Sequence, residues 1–231
     1  MSIDRILEII LSLVAVFMAI VMHEVAHGYV AFRLGDHTAR SRGRLTLNPL
    51  AHIDPIGTIL VPLVLAVLNL PLFGWAKPVP INPNYFRNPF RGMLYVAAAG
   101  PGTNIALALL TAGFGRLLLL AVPNSILFGP PAFSSNLVRA IFFLLGAFVI
   151  YNVLLALFNM IPIPPLDGSR VLTYFLPTAG KRFMLSIEQY GFLILIAVIF
   201  LGGVQVIFRA VDPIASGLLG IRWVAAITLF G

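Results

Sequence analysis

Four long apolar stretches, roughly residues 5–32, 93–119, 137–158 and 187–208, are rich in Leu, Ile, Val, Ala and Phe and nearly free of charge. Each is long enough to cross a bilayer, which takes about 20 residues of helix. Inside lipid no water satisfies backbone N–H and C=O groups, so a spanning segment must pair them within itself. Composition agrees, with 60% of the 231 residues hydrophobic and 10% charged, against about a quarter charged in a soluble domain. An ordinary water-soluble domain is excluded. The expected fold is an all-α polytopic membrane protein with four clear transmembrane helices.

Two more apolar segments are ambiguous. Residues 56–72 are short and contain Pro62 and Pro71, and residues 213–231 carry Arg222 and three glycines. Crossing, re-entry and interfacial placement all remain open for them, so the count of spans runs up to six. The connector 33–55 holds Arg33, Arg40, Arg42 and Arg44, then the alternation Arg44-Leu45-Thr46-Leu47, which suits a short strand. Asp54 before Pro55 reads as a helix N-cap with proline in the first helical position. No repeat, low-complexity tract or linker divides the chain, so residues 1–231 are expected to form one membrane-embedded domain. The apolar run from Ile6 through Met22 continues past His23 without a small-residue cleavage site, which marks a retained helix rather than a secretory signal.

Fifteen Lys and Arg against eight Asp and Glu give a net charge of +7. In a membrane protein this excess orients loops, because Lys and Arg accumulate on the cytoplasmic side. With the first helix running outside to inside, Arg33, Arg40, Arg42, Arg44, Lys77, Arg87, Arg91, Arg170, Lys181 and Arg182 are all cytoplasmic if residues 56–72 return to the face they leave. That placement favours re-entry over crossing. Trp75 and Trp223, beside Lys77 and Arg222, read as interfacial anchors. No Gly-rich phosphate loop or aromatic-laced basic patch points to nucleotide, and no nucleic-acid partner is expected. The bilayer is.

The chemistry concentrates in His23-Glu24-Val25-Ala26-His27, inside the first apolar stretch. Residues four apart lie one turn apart on the same helix face, so both imidazoles can hold one metal ion, with Glu24 placed to take a proton from water there. Two histidines and a glutamate in an apolar span cost several kcal/mol of desolvation unless they pair or coordinate something. The chain has no cysteine, so further ligands must come from carboxylates or the remaining histidines. A hydrolytic zinc takes three protein ligands. The choice for the third is Asp167, which follows an apolar span within Asn159-Met160-Ile161-Pro162-Ile163-Pro164-Pro165-Leu166-Asp167-Gly168. Prolines prevent regular helix there, and irregular backbone at membrane depth is tolerated where it is buried in protein or lines a cavity. From spacing alone, Asp167 reads equally well as the N-cap of a following helix.

HEVAH in a membrane helix, Gly100-Pro101-Gly102-Thr103-Asn104 at the opening of the next span, and the later Asn-x-x-Pro-x-Pro-x-Leu-Asp-Gly segment resemble, in that order, the three core helices of the site-2 proteases, intramembrane zinc metalloproteases. The resemblance covers residues 1 to about 180. It implies one Zn2+ per chain on His23, His27 and Asp167, Glu24 as general base, and Asn159 as support for the substrate carbonyl or the transition state. It also suggests that Asn104 faces the site, although a plain helix–helix hydrogen bond explains Asn104 as well. The proline run, Pro162-Ile163-Pro164-Pro165, has one proline more than the simplest form of the motif, yet Asn159 still stands eight residues before Asp167. No PDZ or CBS-type soluble domain is expected.

The resulting expectation is a membrane zinc endopeptidase that cuts in or near transmembrane segments of other proteins, at the cell membrane, with its site nearer the cytoplasmic face. A helical substrate must unwind and bind extended, and Leu45, Thr46 and Leu47 could supply an edge to pair with. Two alternatives stand beside it: a prenyl-protein-processing type of membrane zinc protease, whose third ligand is usually a glutamate, and a non-catalytic metal-binding scaffold or transporter.

Overall fold

The computed structural model describes residues 3–61, 64, 75–129 and 133–228. Helix α1 (Ile3–Arg33) is followed by the short α2 (Thr38–Ser41), then α3 (Pro89–Ala121), α4 (Asn124–Phe128) and α5 (Phe133–Asn159). The chain continues through α6 (Asp167–Phe175), α7 (Thr178–Glu188), α8 (Gly191–Phe200), α9 (Gly203–Leu219) and α10 (Ile221–Thr228). Helices α1, α3 and α5 pack against one another as a three-helix core. The close approach has a cause legible in α3, whose buried positions Gly92, Val96, Gly100, Asn104, Ala108 and Ala112 recur every four residues. This puts a nearly continuous stripe of small side chains along one face, the arrangement by which helices in lipid gain contact without a hydrophobic driving force. Pro101 lies within this helix without ending it.

The connectors start where a polar side chain meets proline. Asn48, Asp54, Asn82 and Asn88 each precede a proline, and each side chain accepts a hydrogen bond from a backbone N–H of the turn it opens. The Asp54 cap expected from sequence therefore forms, although the element it starts, Pro55–Leu60, is a wider π-helical turn. Most of 56–72 lies outside the described residues. Its flanks do not: Trp75 N–H donates to Gly57 C=O at 3.1 Å and Thr58 Oγ1 donates to Trp75 C=O at 2.9 Å. Residues 57–58 and 75 therefore sit side by side, so the chain comes back at Trp75 to the place it left at Thr58.

Three expectations need correction. No strand forms among the described residues: Arg44–Leu47 runs as bends and irregular chain. Arg44 guanidinium binds Lys77 C=O at 2.6 Å, and His52 Nε2 donates to Thr46 C=O at 2.9 Å, so side chains take the place of a strand ladder. Three helices are long and apolar enough to cross a membrane, Arg5–Arg33, Pro89–Ala121 and Asn136–Asn159, with α7 and α8, bent by 76°, as a fourth if that pair is one span. The stretch 187–208 is not one helix, because Gly202, at φ 92°, breaks it between α8 and α9. The segment 213–231 is divided in turn between α9 and α10.

Trp223 is not an interfacial anchor. It is fully buried in a cluster with Phe142, Val149, Val211 and Leu219, at the end of the core remote from His23, and its indole N–H donates to Phe142 C=O at 3.0 Å. Its ring fills the space over Gly115, where any Cβ would overlap it. Arg222 next to it donates to Leu119 and Val122 carbonyls, both at 2.7 Å, and so closes the C-terminal end of α3. Gly115→Val should overpack this junction and destabilise the protein by about 1–3 kcal/mol, measurable as a lower unfolding midpoint in detergent.

Candidate metal centre

On α1, His23 and His27 lie one turn apart, and each ring is held from behind by a different helical group. His27 Nδ1 lies 2.7 Å from Val96 C=O, which can only accept, so this nitrogen carries the proton. His23 Nδ1 lies 2.5 Å from Asn104 Oδ1. With both Nδ1 nitrogens committed as donors, the two Nε2 atoms, 2.9 Å apart, turn their lone pairs toward each other in the neutral rings. Gly100 makes this approach possible, since a Cβ there would come within 2.5 Å of both rings. The small residues of α3, which suit plain helix packing, here also admit two imidazoles.

Asp167 completes the group. Beyond α5 the chain folds back through tight turns, with Ile163 N–H on Ile161 C=O and Leu166 N–H on Ile163 C=O, before α6 begins at Asp167. Gly168 is required at this bend, because a Cβ would collide with Met160 C=O. Leu166, not Asp167, occupies the N-cap position, and no side chain caps the helix. The carboxylate instead turns to the histidines, with Oδ2 3.2 Å from each Nε2.

Three electron pairs thus converge on one point: two imidazole nitrogens and a carboxylate oxygen that is buried without a hydrogen bond. Left bare, such a cluster is costly, because each group repels the others in a low-dielectric setting. Nitrogen and oxygen donors suit Zn2+, and a tetrahedron with bonds of 2.0–2.1 Å has edges of about 3.3 Å, close to the separations observed. His23, His27 and Asp167 form a group that could hold a metal ion.

Beside it opens a cavity of about 590 Å³ lined by Glu24 and Asn159 among apolar side chains that include Ile20, Leu155, Phe158 and Phe192. Glu24 Oε2 accepts from Val79 N–H at 2.8 Å, which orients the carboxylate along one wall. Asn159 donates to Leu155 C=O at 3.0 Å within its own helix, leaving a second amide hydrogen. Asn104 lies behind His23, fully buried and away from the cavity, so it reaches the imidazole and not a ligand. Leu45, Thr46 and Leu47 are absent from the cavity wall, and Leu45 packs over Gly28.

The chain that does border the cavity is 75–78, which sequence reasoning missed. Trp75, Ala76 and Pro78 line it, and the Trp75 ring meets Phe192 edge-on at 5.2 Å. Lys77-Pro78-Val79-Pro80 carried the available signal, since proline at alternate positions keeps backbone extended. Residues 75, 77 and 79 send their N–H groups to Gly57, His52 and Glu24. Ala76, facing the other way, has no backbone partner among the described residues.

This wall is tied down at its far end by Asp36, a fully buried carboxylate that accepts from Asn82 N–H at 2.6 Å and from Thr38 N–H and Oγ1 at 2.9 and 2.5 Å. Burial alone would push its pKa up. The hydrogen bonds from Asn82 and Thr38 outweigh burial and hold it below the ordinary carboxylate range. A depressed folded-state pKa gives stability that is present above the unfolded value of about 3.9 and lost as pH falls through the folded value. Asp36→Ala should therefore cost on the order of 1–3 kcal/mol at neutral pH, with the deficit against wild type shrinking in unfolding curves below about pH 4.

A protein of Bacillus subtilis named "Putative zinc metalloprotease YwhC" is 40% identical to the chain over 196 residues, 83% of each sequence. "Putative zinc metalloprotease Rip2" of Mycolicibacterium smegmatis is 32% identical over 192 residues, 82% of this chain and 66% of that protein. "Putative zinc metalloprotease MJ0611" of Methanocaldococcus jannaschii is 33% identical over 169 residues, 73% of this chain and 72% of that protein. No family model matches the chain, and no solved structure does.

Proposed function

Since the chain belongs to the zinc metalloprotease family that includes YwhC and Rip2, we propose that it is an intramembrane zinc endopeptidase of the site-2 type, hydrolysing peptide bonds in or near transmembrane segments of other membrane proteins. The observation that carries this reading is the meeting of His23 Nε2 and His27 Nε2, on a helix long and apolar enough to span, with Asp167 Oδ2 from the start of α6, beside Glu24. An aspartate as third ligand, reached through the Asn159–Asp167 turns, favours it over the prenyl-protein-processing type.

Bound zinc would be held by these three side chains and supply a Lewis acid. Glu24 is the general base: it takes the proton of the attacking water and passes it to the leaving amine nitrogen, a role typically contributing about 10²–10⁴ in rate. Val79 N–H keeps one Glu24 oxygen occupied and leaves the other for that exchange. Asn159 turns its second amide hydrogen toward the oxyanion. The apolar wall of Ile20, Leu155, Phe158 and Phe192 limits water and accommodates apolar substrate side chains. An unwound substrate pairs with the free N–H and C=O of Ala76, in the role that the sequence suggested for Leu45 to Leu47.

Glu24→Gln should keep zinc and lose cleavage of a single-span test substrate by at least about 10²-fold, whereas Asp167→Ala should lose both zinc and cleavage. Ala76→Pro should lower cleavage with zinc retained. Full zinc content and activity in Asp167→Ala would sink the assignment.

We also place the site near the cytoplasmic face of the cell membrane. The ten basic residues of 33–44, 77–91 and 170–182 belong to the connectors and helix ends around His27 and Asp167, while Arg116, Arg139 and Arg222 close the opposite end on carbonyl groups. The absence of cysteine makes the test direct. In intact cells a membrane-impermeant thiol reagent should label Asn124→Cys and spare Arg42→Cys; the reverse pattern inverts the topology.

A further inference from the structure

One buried polar residue in the three-helix core, Asn152, is used by nothing described so far. On α5, Asn152 is completely inaccessible and lies in an otherwise apolar run. Its Nδ2 donates to Phe148 C=O at 2.8 Å, and its Oδ1 accepts from Asn104 Nδ2 at 2.7 Å. Asn104 Nδ2 also approaches Ala19 C=O at 3.4 Å, and Asn104 Oδ1 meets His23 Nδ1. The chain crosses all three helices, from α5 through α3 to α1.

Its direction is not arbitrary. An asparagine amide can in principle present either end, but backbone carbonyls only accept. Phe148 C=O fixes which end of Asn152 faces its own helix, and so turns Oδ1 toward Asn104. That oxygen, with Ala19 C=O, draws the Asn104 NH2 group to its side. Only an oxygen is then left for His23, whose Nδ1 must carry the proton and whose Nε2 must not.

We propose that Asn152 is a positioning residue that acts through Asn104 to lock His23 in the tautomer whose Nε2 lone pair faces His27 and Asp167. This rests on the metal-site reading above and adds a residue that touches neither the cavity nor the ligand cluster. The asymmetry between the histidines explains why a relay is needed. His27 meets a main-chain carbonyl, which has one polarity, whereas His23 meets an amide that would serve equally well after a half-turn. With the amide reversed, an NH2 group would face His23, draw the lone pair to Nδ1 and leave the proton on Nε2, where it blocks a metal.

The test measures zinc affinity of the purified full chain by competition with a chromogenic chelator, independent of cleavage. Asn152→Leu, close in size and more apolar, should weaken zinc binding about 10–100-fold, the usual effect of losing an outer partner of a metal ligand. Asn104→Asp supplies the decisive control: a carboxylate offers His23 an oxygen whichever way it turns. In the Asn104→Asp background, adding Asn152→Leu should change affinity by no more than about threefold, a strong departure from additivity. Asn152→Asp, which still accepts from Asn104, should hold zinc much better than Asn152→Leu.

Zinc affinity unchanged in Asn152→Leu overturns the proposal. So does a defect of equal size with and without Asn104→Asp, which would mark Asn152 as a packing residue only. Failure of the metal site itself looks different: wild type would take up no zinc, or His23→Ala would bind it as well as wild type.

Discussion

The arrangement of this protein follows from one repulsion. Two imidazole nitrogens and a carboxylate oxygen are pressed to within about 3 Å of each other inside the three-helix core. Each would move apart unless held from behind, and each is held by a different group. Val96 of α3 holds His27, Asn104 of α3 holds His23, and the turns between α5 and α6 aim Asp167. The bundle must therefore be complete before the cluster exists, and a cation that binds the cluster reports on the whole fold. For such sites metal affinity and folding free energy are linked.

Lipid makes that holding effective. Helices in a bilayer gain little from burying apolar surface against each other, so the contacts that choose the partner face are small residues and polar groups. The α3 stripe supplies both in one repeat of four: glycine and alanine for approach, and Asn104 at the depth where α1 offers His23 and α5 offers Asn152. An alternative rotation of α3 would leave an asparagine, a histidine and a second asparagine unpaired in hydrocarbon. The polar chain thus selects the packing that also builds the candidate metal site.

Much of this is legible in the residues. The imidazole pair is implied by a spacing of four, the long helices by unbroken apolar runs, and each connector turn by Asn or Asp before Pro. Asp167 could be selected but not aimed, because a carboxylate after an apolar span serves a cap or a ligand equally, and only the packing of Gly168 over Met160 decides. The stretch 187–208 is not the single helix its apolar run suggests, because that run conceals a left-handed backbone at Gly202. Trp223 misled because tryptophan beside arginine is also what a core ring beside a capping guanidinium looks like. The cavity wall at 75–78 was hidden for a different reason: it is built from long-range hydrogen bonds to Gly57, His52 and Glu24, which no local pattern encodes.

Those same bonds tie Glu24, the proposed general base, to the chain that borders the cavity. Glu24 is oriented by Val79, Val79 follows a segment pinned by Arg44 at Lys77, and the segment ends at Asn82, pinned by Asp36. Arg44 and Asp36 both lie in the connector that follows α1, the helix bearing Glu24. The wall is thus anchored to the helix it serves, and displacement of residues 75–82 by an incoming peptide would pull on the Glu24 carboxylate. In the proposed mechanism, substrate docking and orientation of the base are therefore coupled through this segment. A short extended segment, held by backbone and side-chain hydrogen bonds instead of a sheet, thus occupies the position next to the glutamate: it is firm enough to aim a carboxylate, and its Ala76 makes no backbone hydrogen bond among the described residues.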